Sequence, residues 1–160
     1  LGRACMCVFA LVSLACVGCT RRFPMNSNEN DRSQGLSVDV PDGVDRERFA
    51  EGVNVYDGET FVTMVRYDEP YIDRLRAKFQ RMYTLGKTPR GDVLVPEQEV
   101  ALGSVRGFKY AILDQNDKRP VEIKYILWAG IACVFAQVSN AEHSFDESKY
   151  ESIFATIRPD

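Results

Sequence analysis

The chain has 160 residues, of which 45% are hydrophobic and 27% are charged; this composition is typical of a folded protein and argues against global disorder and a polytopic membrane protein. The formal net charge of −3 does not favour nucleic acid as a partner. The length predicts one domain with an additional segment, because single domains usually contain about 100–150 residues.

The first eighteen residues predict an export signal. Arg3 precedes an apolar run over residues 4–18 that only Ser13 interrupts with a polar side chain. Such a run would extend about 22 Å as a helix, less than the roughly 30 Å of a bilayer's hydrocarbon core. A positive start, a short apolar segment and small residues at its end are typical of a secretory signal peptide, so residues 1–18 are expected to be removed on export.

The end of this segment resembles a bacterial lipobox. Residues 16–19 read Cys-Val-Gly-Cys, in which a small residue precedes a cysteine, although Cys16 stands where leucine is usual. The resemblance implies that Cys19 is lipidated, with palmitate among the expected acyl groups, and becomes the N-terminus of the exported protein. The alternative is a signal peptide cut near Ala15 or Gly18 without lipidation.

Residues 19–35 are predicted to be the lipidated cysteine and a flexible tether. From Thr20 onward Asn, Ser, Asp and Arg dominate and no apolar periodicity is present, so the segment buries too little surface to offset its ordering entropy. A flexible chain of this length reaches roughly 20–25 Å and would hold a domain near the membrane. Arg21 and Arg22 are interpreted either as contacts for anionic lipid or as ordinary solvated charges.

Residues 36–160 are predicted to form a single α+β domain that begins with strands. Apolar and polar side chains alternate over residues 36–40 and again over residues 53–56, as expected of half-buried strands. The dipeptide Asp57-Gly58 predicts a two-residue hairpin turn, and the stretch to Tyr67 predicts the return strand.

An amphipathic helix is predicted to follow. Asp68 suits its N-cap, Pro70 its first turn and Gly86 its C-cap. The apolar side chains that share one face at helical spacing are Ile72, Leu75, Phe79, Met82 and Tyr83. We expect this face to pack on a sheet and residues 86–97 to form the next loop.

The second half predicts further strands. Residues 100–114 are mostly extended, with Gly103 and Gly107 as bend or bulge positions. Residues 121–128 and 131–138 are dense in apolar side chains, which favours two strands in the middle of a sheet that is covered on both faces. The succession of hairpins predicts a mostly antiparallel sheet flanked by helices.

A terminal helix is predicted from Ser144 and Glu147, which have the spacing of a capping box. Its apolar side chains recur at helical spacing, and Pro159 is expected to lie beyond its end. The residues on this face are Tyr150, Ile153, Phe154 and Ile157.

The order of these elements resembles the PsbP-like fold, which includes the photosystem II extrinsic protein and small bacterial lipoproteins of the DcrB type. The resemblance covers about residues 36–158 and is carried by the extended start Val38-Asp39-Val40-Pro41 and by the final helix, with Phe145-Asp146, Ile153-Phe154 and Ile157. It implies a central antiparallel sheet between helices and an accessory or binding role without catalysis. It supplies no catalytic residue.

No residue pattern predicts a catalytic, cofactor-binding or metal-binding site. The single histidine, His143, is interpreted as a solvated loop residue, and Cys133 as a buried inert thiol. Residues 114–117 are rich in oxygen ligands, but a calcium loop counted from Asp114 would need Gly and Glu where Arg119 and Tyr125 stand. An ordinary polar turn is therefore predicted there.

One candidate docking surface lies on the first predicted helix. Arg74, Lys78 and Arg81, here called the basic strip, fall within about 60° of one another around the helix axis, and Lys87 and Arg90 follow in the loop. Because the chain is acidic overall, this strip is a local asymmetry that suits an acidic partner or anionic lipid. The alternative is a solvated helix face whose long side chains lie along the surface.

Together these patterns predict a lipid-anchored, periplasm-facing protein of the bacterial envelope that acts as a non-catalytic binding or accessory domain, with an envelope protein as candidate partner and no cofactor. The outer membrane is slightly favoured, since Thr20 rather than a retaining Asp follows Cys19. Two alternatives stay open. One is a small hydrolase with an unrecognised site of pKa-shifted residues. The other is a carrier of a small apolar ligand or lipid, in a cavity lined by Phe79, Met82, Trp128 and Phe135.

Overall fold

The computed structural model describes residues 20–25, 35–49, 51–140, 142 and 144–160. Within them the chain forms ten strands and two helices. The elements of the first half are β1 (Thr20–Met25), β2 (Leu36–Pro41), β3 (Asp45–Phe49), β4 (Gly52–Asp57), β5 (Thr60–Tyr67) and α1 (Glu69–Tyr83). Those of the second half are β6 (Val93–Leu102), β7 (Val105–Leu113), β8 (Pro120–Ala129), β9 (Ala132–Asn140), α2 (Glu147–Phe154) and β10 (Arg158–Pro159).

A seven-stranded sheet in the order β3-β4-β5-β9-β8-β7-β6 forms the centre of the fold. All of its strand pairs are antiparallel, which confirms the predicted α+β class with a mostly antiparallel sheet. β9 and β8 lie in its middle, as their dense apolar sequences predict. Their side chains alternate between two cores, because successive residues of a strand point to opposite faces.

Each face of this sheet is covered by a different layer. On one face α1 inserts Ile72, Phe79 and Tyr83 into a core with residues of β7, β8 and β9. On the other face α2 and a small sheet in the order β1-β2-β10 cover the larger core. β7 shows the alternation directly, since Tyr110 lies in the first core and Ala111 in the second.

Residues 20–25 are not part of a flexible tether, contrary to the prediction. They form β1, which pairs antiparallel with β2 from Thr20 opposite Pro41 to Met25 opposite Leu36, and Met25 is fully buried in the larger core. The polar composition of the surrounding segment gave no sign of this strand, because its partner is supplied by β2. The other residues assigned to the tether that lie at 26–34, and Cys19 itself, are outside the described residues.

α1 begins as predicted and ends slightly earlier. Asp68 is the N-cap, and its side chain accepts a hydrogen bond from the Tyr71 backbone N–H at 3.1 Å. The C-cap is Thr84 rather than Gly86. Met82, predicted on the buried face, is 43% exposed, because it lies at the edge of the apolar stripe, about 60° from its centre.

The hairpin between β4 and β5 confirms the predicted turn with a shift of one residue. Asp57 pairs with Thr60, so the two turn residues are Gly58 and Glu59 rather than Asp57 and Gly58. Gly58 has a φ of 60°, and Glu59 is not among the residues with positive φ, a combination found in type II′ turns. The shift follows from pairing with the neighbouring strand, which fixes the register.

Two other boundaries differ from the prediction. β6 starts at Val93, within the expected loop 86–97, because its first residues pair with the end of β7. The predicted capping box is wrong: the N-cap of α2 is Asp146, which accepts a hydrogen bond from the Ser148 backbone N–H at 3.1 Å. Ser144 instead donates its hydroxyl hydrogen bond to Asp117 at 3.2 Å.

Candidate functional site

The basic strip is exposed along α1. All three side chains, those of Arg74, Lys78 and Arg81, are exposed to solvent. Within the part of the chain that the structure describes, none of them forms an ion pair with a carboxylate. The Arg74 guanidinium lies 5.8 Å from the centre of the Tyr71 ring. The three cations therefore remain available to a partner, as the sequence predicts, whereas their role in docking is still a prediction.

A fourth cation of α1, Arg76, binds a carboxylate within the protein and is not available to a partner. It donates two hydrogen bonds to Glu97 of β6, from Nε at 2.9 Å and from a terminal nitrogen at 2.7 Å. Gln80 and the Tyr110 hydroxyl also donate to this carboxylate. The guanidinium carbon lies 3.6 Å from the centre of the Phe108 ring, a cation–π geometry. This network fixes the orientation of α1 on the sheet and hence the direction in which the basic strip points.

The electrostatics of the network follow from its donors. The hydrogen bonds from Arg76 lower the pKa of Glu97 to about 2, against the opposing effect of burial, and the bonds from Tyr110 and Gln80 act in the same direction. Burial first, and then the bond to the carboxylate, raise the pKa of Tyr110. Glu97 therefore stays ionised and Tyr110 protonated at neutral pH, as a permanent link between α1, β6 and β7 requires.

Sequence reasoning missed this network because its members are distant along the chain. Glu97 lies at a register shift in β6, between Val95 and Gln98, in a stretch predicted as loop. Glu97 and Arg76 are 21 residues apart along the chain. A salt bridge of that separation has no local spacing rule, unlike an i,i+4 pair within one helix.

A second polar cluster joins α2 to the opposite face of the sheet. Lys109 donates hydrogen bonds to both Glu147 and Glu151, and the Tyr125 hydroxyl contacts the same two carboxylates at 3.1 and 3.4 Å. Burial raises the pKa of Glu151, and the neighbouring Glu147 raises it further, while Lys109 lowers it. The cluster holds α2 in place, because each of its charged groups is bound by another member.

Two open clefts lie on the face of the sheet that α1 covers. The first has a volume of about 430 Å³ and includes Phe108 and Trp128, whose rings meet edge to face at 6.0 Å, together with Arg106. The second, of about 630 Å³, lies beside the loop after α1 and is lined mainly by polar residues such as Asp92 and Glu122. Neither cleft is lined by the basic strip or by the Lys109 cluster.

Three of the four residues proposed for an apolar cavity lie in one packed core, and the fourth, Met82, lies outside it. Phe79 packs against Tyr110 at 5.3 Å and against Phe135 at 6.0 Å, so aromatic rings fill the space beneath α1. Trp128 packs at the margin of the same core and opens into the first cleft. Met82 is exposed to solvent. The arrangement is that of a packed core, and it does not favour the carrier alternative.

The structure also shows the surroundings of two other residues that the sequence analysis considered as possible ligands or nucleophiles. Cys133 is a buried free thiol, and burial raises its pKa, which agrees with the predicted inert cysteine. The Asp114 carboxylate accepts hydrogen bonds from the backbone N–H groups of Asn116 at 2.6 Å and Asp117 at 3.2 Å, which confirms the polar turn. His143 lies outside the described residues.

The residues that the structure describes contain neither a metal-ligand cluster nor a membrane-spanning helix. No group of three or more metal-ligating side chains occurs there, and no helix there has the length and apolar content needed to cross a bilayer. Neither the protein-family models nor the curated proteins contain a match to this sequence.

Proposed function

We propose that this protein is a lipid-anchored accessory protein of the bacterial cell envelope whose domain docks an acidic envelope partner through the basic strip and performs no catalysis. The observation that carries the proposal is the basic strip itself. Arg74, Lys78 and Arg81 are exposed without carboxylate partners among the described residues, on a helix that the Arg76–Glu97 network holds rigidly.

The anchoring part of the proposal rests on the sequence. A signal-like segment ends in Cys-Val-Gly-Cys, and lipidation of Cys19 would tether the domain to the periplasmic side of a membrane. We place it at the outer membrane, because Thr20 follows the cysteine. An antiparallel sheet with α1 on one face, and α2 with a small second sheet on the other, is compatible with a PsbP-like fold, which we also propose as the finer assignment.

Electrostatic complementarity is the physical basis of the docking. Exposed cations arranged on one rigid helix face raise the association rate of an acidic partner and disfavour a basic one. Such an interaction weakens as salt increases, because exposed charges are screened over about 8 Å at physiological ionic strength. The packed aromatic core beneath α1 keeps the helix from moving away when a partner binds.

Charge reversal of the strip tests the docking role. A photo-crosslinking residue at Lys78 should capture a partner in intact cells, and that partner is then purified and titrated with the wild-type protein at low and high salt. The triple charge reversal should weaken binding by at least tenfold at low salt; it combines Arg74→Glu, Lys78→Glu and Arg81→Glu. The matched control reverses three exposed cations elsewhere, Arg48→Glu, Arg106→Glu and Arg119→Glu, and should bind as the wild type does.

Equal binding by the strip variant and the wild type would refute the docking role. Anchoring is tested separately by intact-mass analysis of the protein extracted from membranes. The mass should correspond to a chain that starts at Cys19 and carries acyl groups. A soluble, unacylated protein in wild-type cells would refute the anchor and leave the docking test standing.

A further inference from the structure

The start of β1 brings the proposed anchor next to the folded domain. Thr20 is the first residue of β1 and pairs with Pro41. Cys19 precedes it directly, and consecutive Cα atoms are about 3.8 Å apart. A lipid on Cys19 would therefore hold the domain against the bilayer without an intervening tether, and the part of the domain nearest Thr20 would face the lipid.

The strand connections show which end of the domain this is. Pro41 is followed by a short turn to β3, which begins at Asp45. Asp45 pairs with Tyr56, next to the β4–β5 turn. Thr20 therefore lies at the end of the central sheet that contains the β4–β5 turn, here called the anchored end. The β8–β9 turn at Gly130-Ile131 lies at the opposite end, since Cys133 pairs with Tyr67 at the far end of β5.

The C-terminus of α1 lies at the anchored end as well. α1 follows the far end of β5 and runs back along the sheet, and β6 then begins at Val93, opposite Leu113. Leu113 pairs with Pro120, and the neighbouring β9 ends at Asn140, which pairs with Thr60 beside the β4–β5 turn. Residues 84–92, which connect α1 to β6, are thus at the same end as Thr20.

This connecting segment has the composition of a membrane-surface contact. Leu85 is a large apolar side chain that is 78% exposed to solvent. Lys87 and Arg90 are exposed beside it, and Arg21 and Arg22 are exposed on β1 next to the anchor. Apolar side chains flanked by cations are typical of segments that lie in the interface of an anionic bilayer.

Carboxylates also lie at the anchored end, and several of them are engaged within the protein. Asp42, in the turn after β2, lies 3.6 Å from the Arg46 guanidinium. The Asp92 carboxylate accepts a hydrogen bond from the Thr88 hydroxyl at 3.4 Å, and Asp57 is bound by Lys149 and Tyr150. The cleft that Arg90 lines also contains Asp92, Asp114, Glu122 and Glu142. The engaged carboxylates repel an anionic surface less than unpaired ones do, whereas Asp45 and Glu142 are exposed at this end and oppose the contact. Lys87 and Arg90 form no ion pair with a carboxylate among the described residues, so both cations are available to lipid phosphates.

We infer that the anchored end rests directly on an anionic lipid surface, with Leu85 inserted at the headgroup level and Lys87 and Arg90 against the lipid phosphates. The inference rests on the proposed lipid anchor and adds an orientation to it. In this orientation α1 runs away from the membrane, so the basic strip faces sideways, where an envelope partner can reach it.

Site-specific fluorescence on vesicles tests the orientation. The full-length acylated protein is reconstituted into vesicles of phosphatidylcholine and phosphatidylglycerol that contain a headgroup-level nitroxide quencher. An environment-sensitive label is attached at Leu85→Cys or at Ile131→Cys. Ile131 is a matched control, since it is 83% exposed and lies at the opposite end. Buried Cys133 should remain unlabelled, and the wild type treated with the same reagent measures that background.

The label at position 85 should be quenched several-fold more than the label at position 131. Lys87→Glu combined with Arg90→Glu should reduce that quenching, and so should vesicles of phosphatidylcholine alone. Equal quenching at both positions, or greater quenching at position 131, would overturn the orientation while leaving the anchor intact. Absence of acyl mass at Cys19 together with failure to float with the vesicles would overturn the anchor and the orientation together.

Discussion

Glu97→Gln tests whether the Arg76–Glu97 network holds α1 on the sheet. The substitution keeps the shape of the side chain and removes its charge, which leaves the Arg76 guanidinium without its counterion. In the folded protein the pKa of Glu97 is lowered from 4.5 to about 2, chiefly by the hydrogen bonds from Arg76. A shift of this size corresponds to roughly 3 kcal/mol of stability at neutral pH. Because the side chain is 22% exposed, solvent screening reduces the expected loss to about 2 kcal/mol.

The pH dependence distinguishes this mechanism from a general packing defect. A lowered carboxyl pKa contributes stability that is complete above pH 4.5 and is lost as the pH falls toward 2. The wild type should therefore be more stable than Glu97→Gln by about 2 kcal/mol at pH 7, and the two should converge as Glu97 becomes protonated. Urea unfolding, followed by the fluorescence of the single tryptophan, Trp128, measures both free energies.

Glu99→Gln is the matched control, because Glu99 is an exposed carboxylate two residues further along β6. It should change the free energy of unfolding by no more than about 0.5 kcal/mol at any pH. The reasoning would be refuted if Glu97→Gln were as stable as the wild type at pH 7, or if a deficit of constant size persisted from pH 7 to the acid limit.

Three further substitutions examine other parts of the fold. Gly107→Ala should destabilise the protein by about 3 kcal/mol or more, because the added Cβ would lie 2.0 Å from the Ile126 carbonyl oxygen; normal thermal stability of this variant would contradict the packing of β7 on β8. Asp68→Ala should cost about 1 kcal/mol through loss of the α1 N-cap, whereas Asp68→Asn, a second good cap, should retain most of that stability in chemical denaturation. Burial raises the pKa of Glu151 above 4.5, so its ionisation lowers stability as the pH rises through the folded value. Glu151→Gln should consequently gain in melting temperature relative to the wild type between pH 4 and neutral pH, and a gain that appeared only on acidification would have the wrong sign.

The basic strip shows how much of the candidate site can be predicted from local sequence periodicity. Helical spacing places Arg74, Lys78 and Arg81 on one side of α1, and all three are exposed as that spacing predicts. The same spacing places Arg76 roughly 150° away from the strip, on the side of the apolar face. Only the folded sheet shows what Arg76 binds, since its partner Glu97 comes from a strand that the sequence pattern does not reveal.

The sequence by itself determined the elements whose cause is local: the N-cap at Asp68, the amphipathic face of α1, the hairpins and the apolar central strands. These depend on residues within a turn or on side-chain periodicity. Tertiary structure alone decided that residues 20–25 form a strand, that Glu97 binds Arg76, and that α1 ends at the same end of the central sheet as β1 begins. Each of these features depends on a partner that is distant along the chain and becomes a neighbour only on folding. Such a contact produces no local periodicity in the sequence, so it could not be predicted from the sequence pattern.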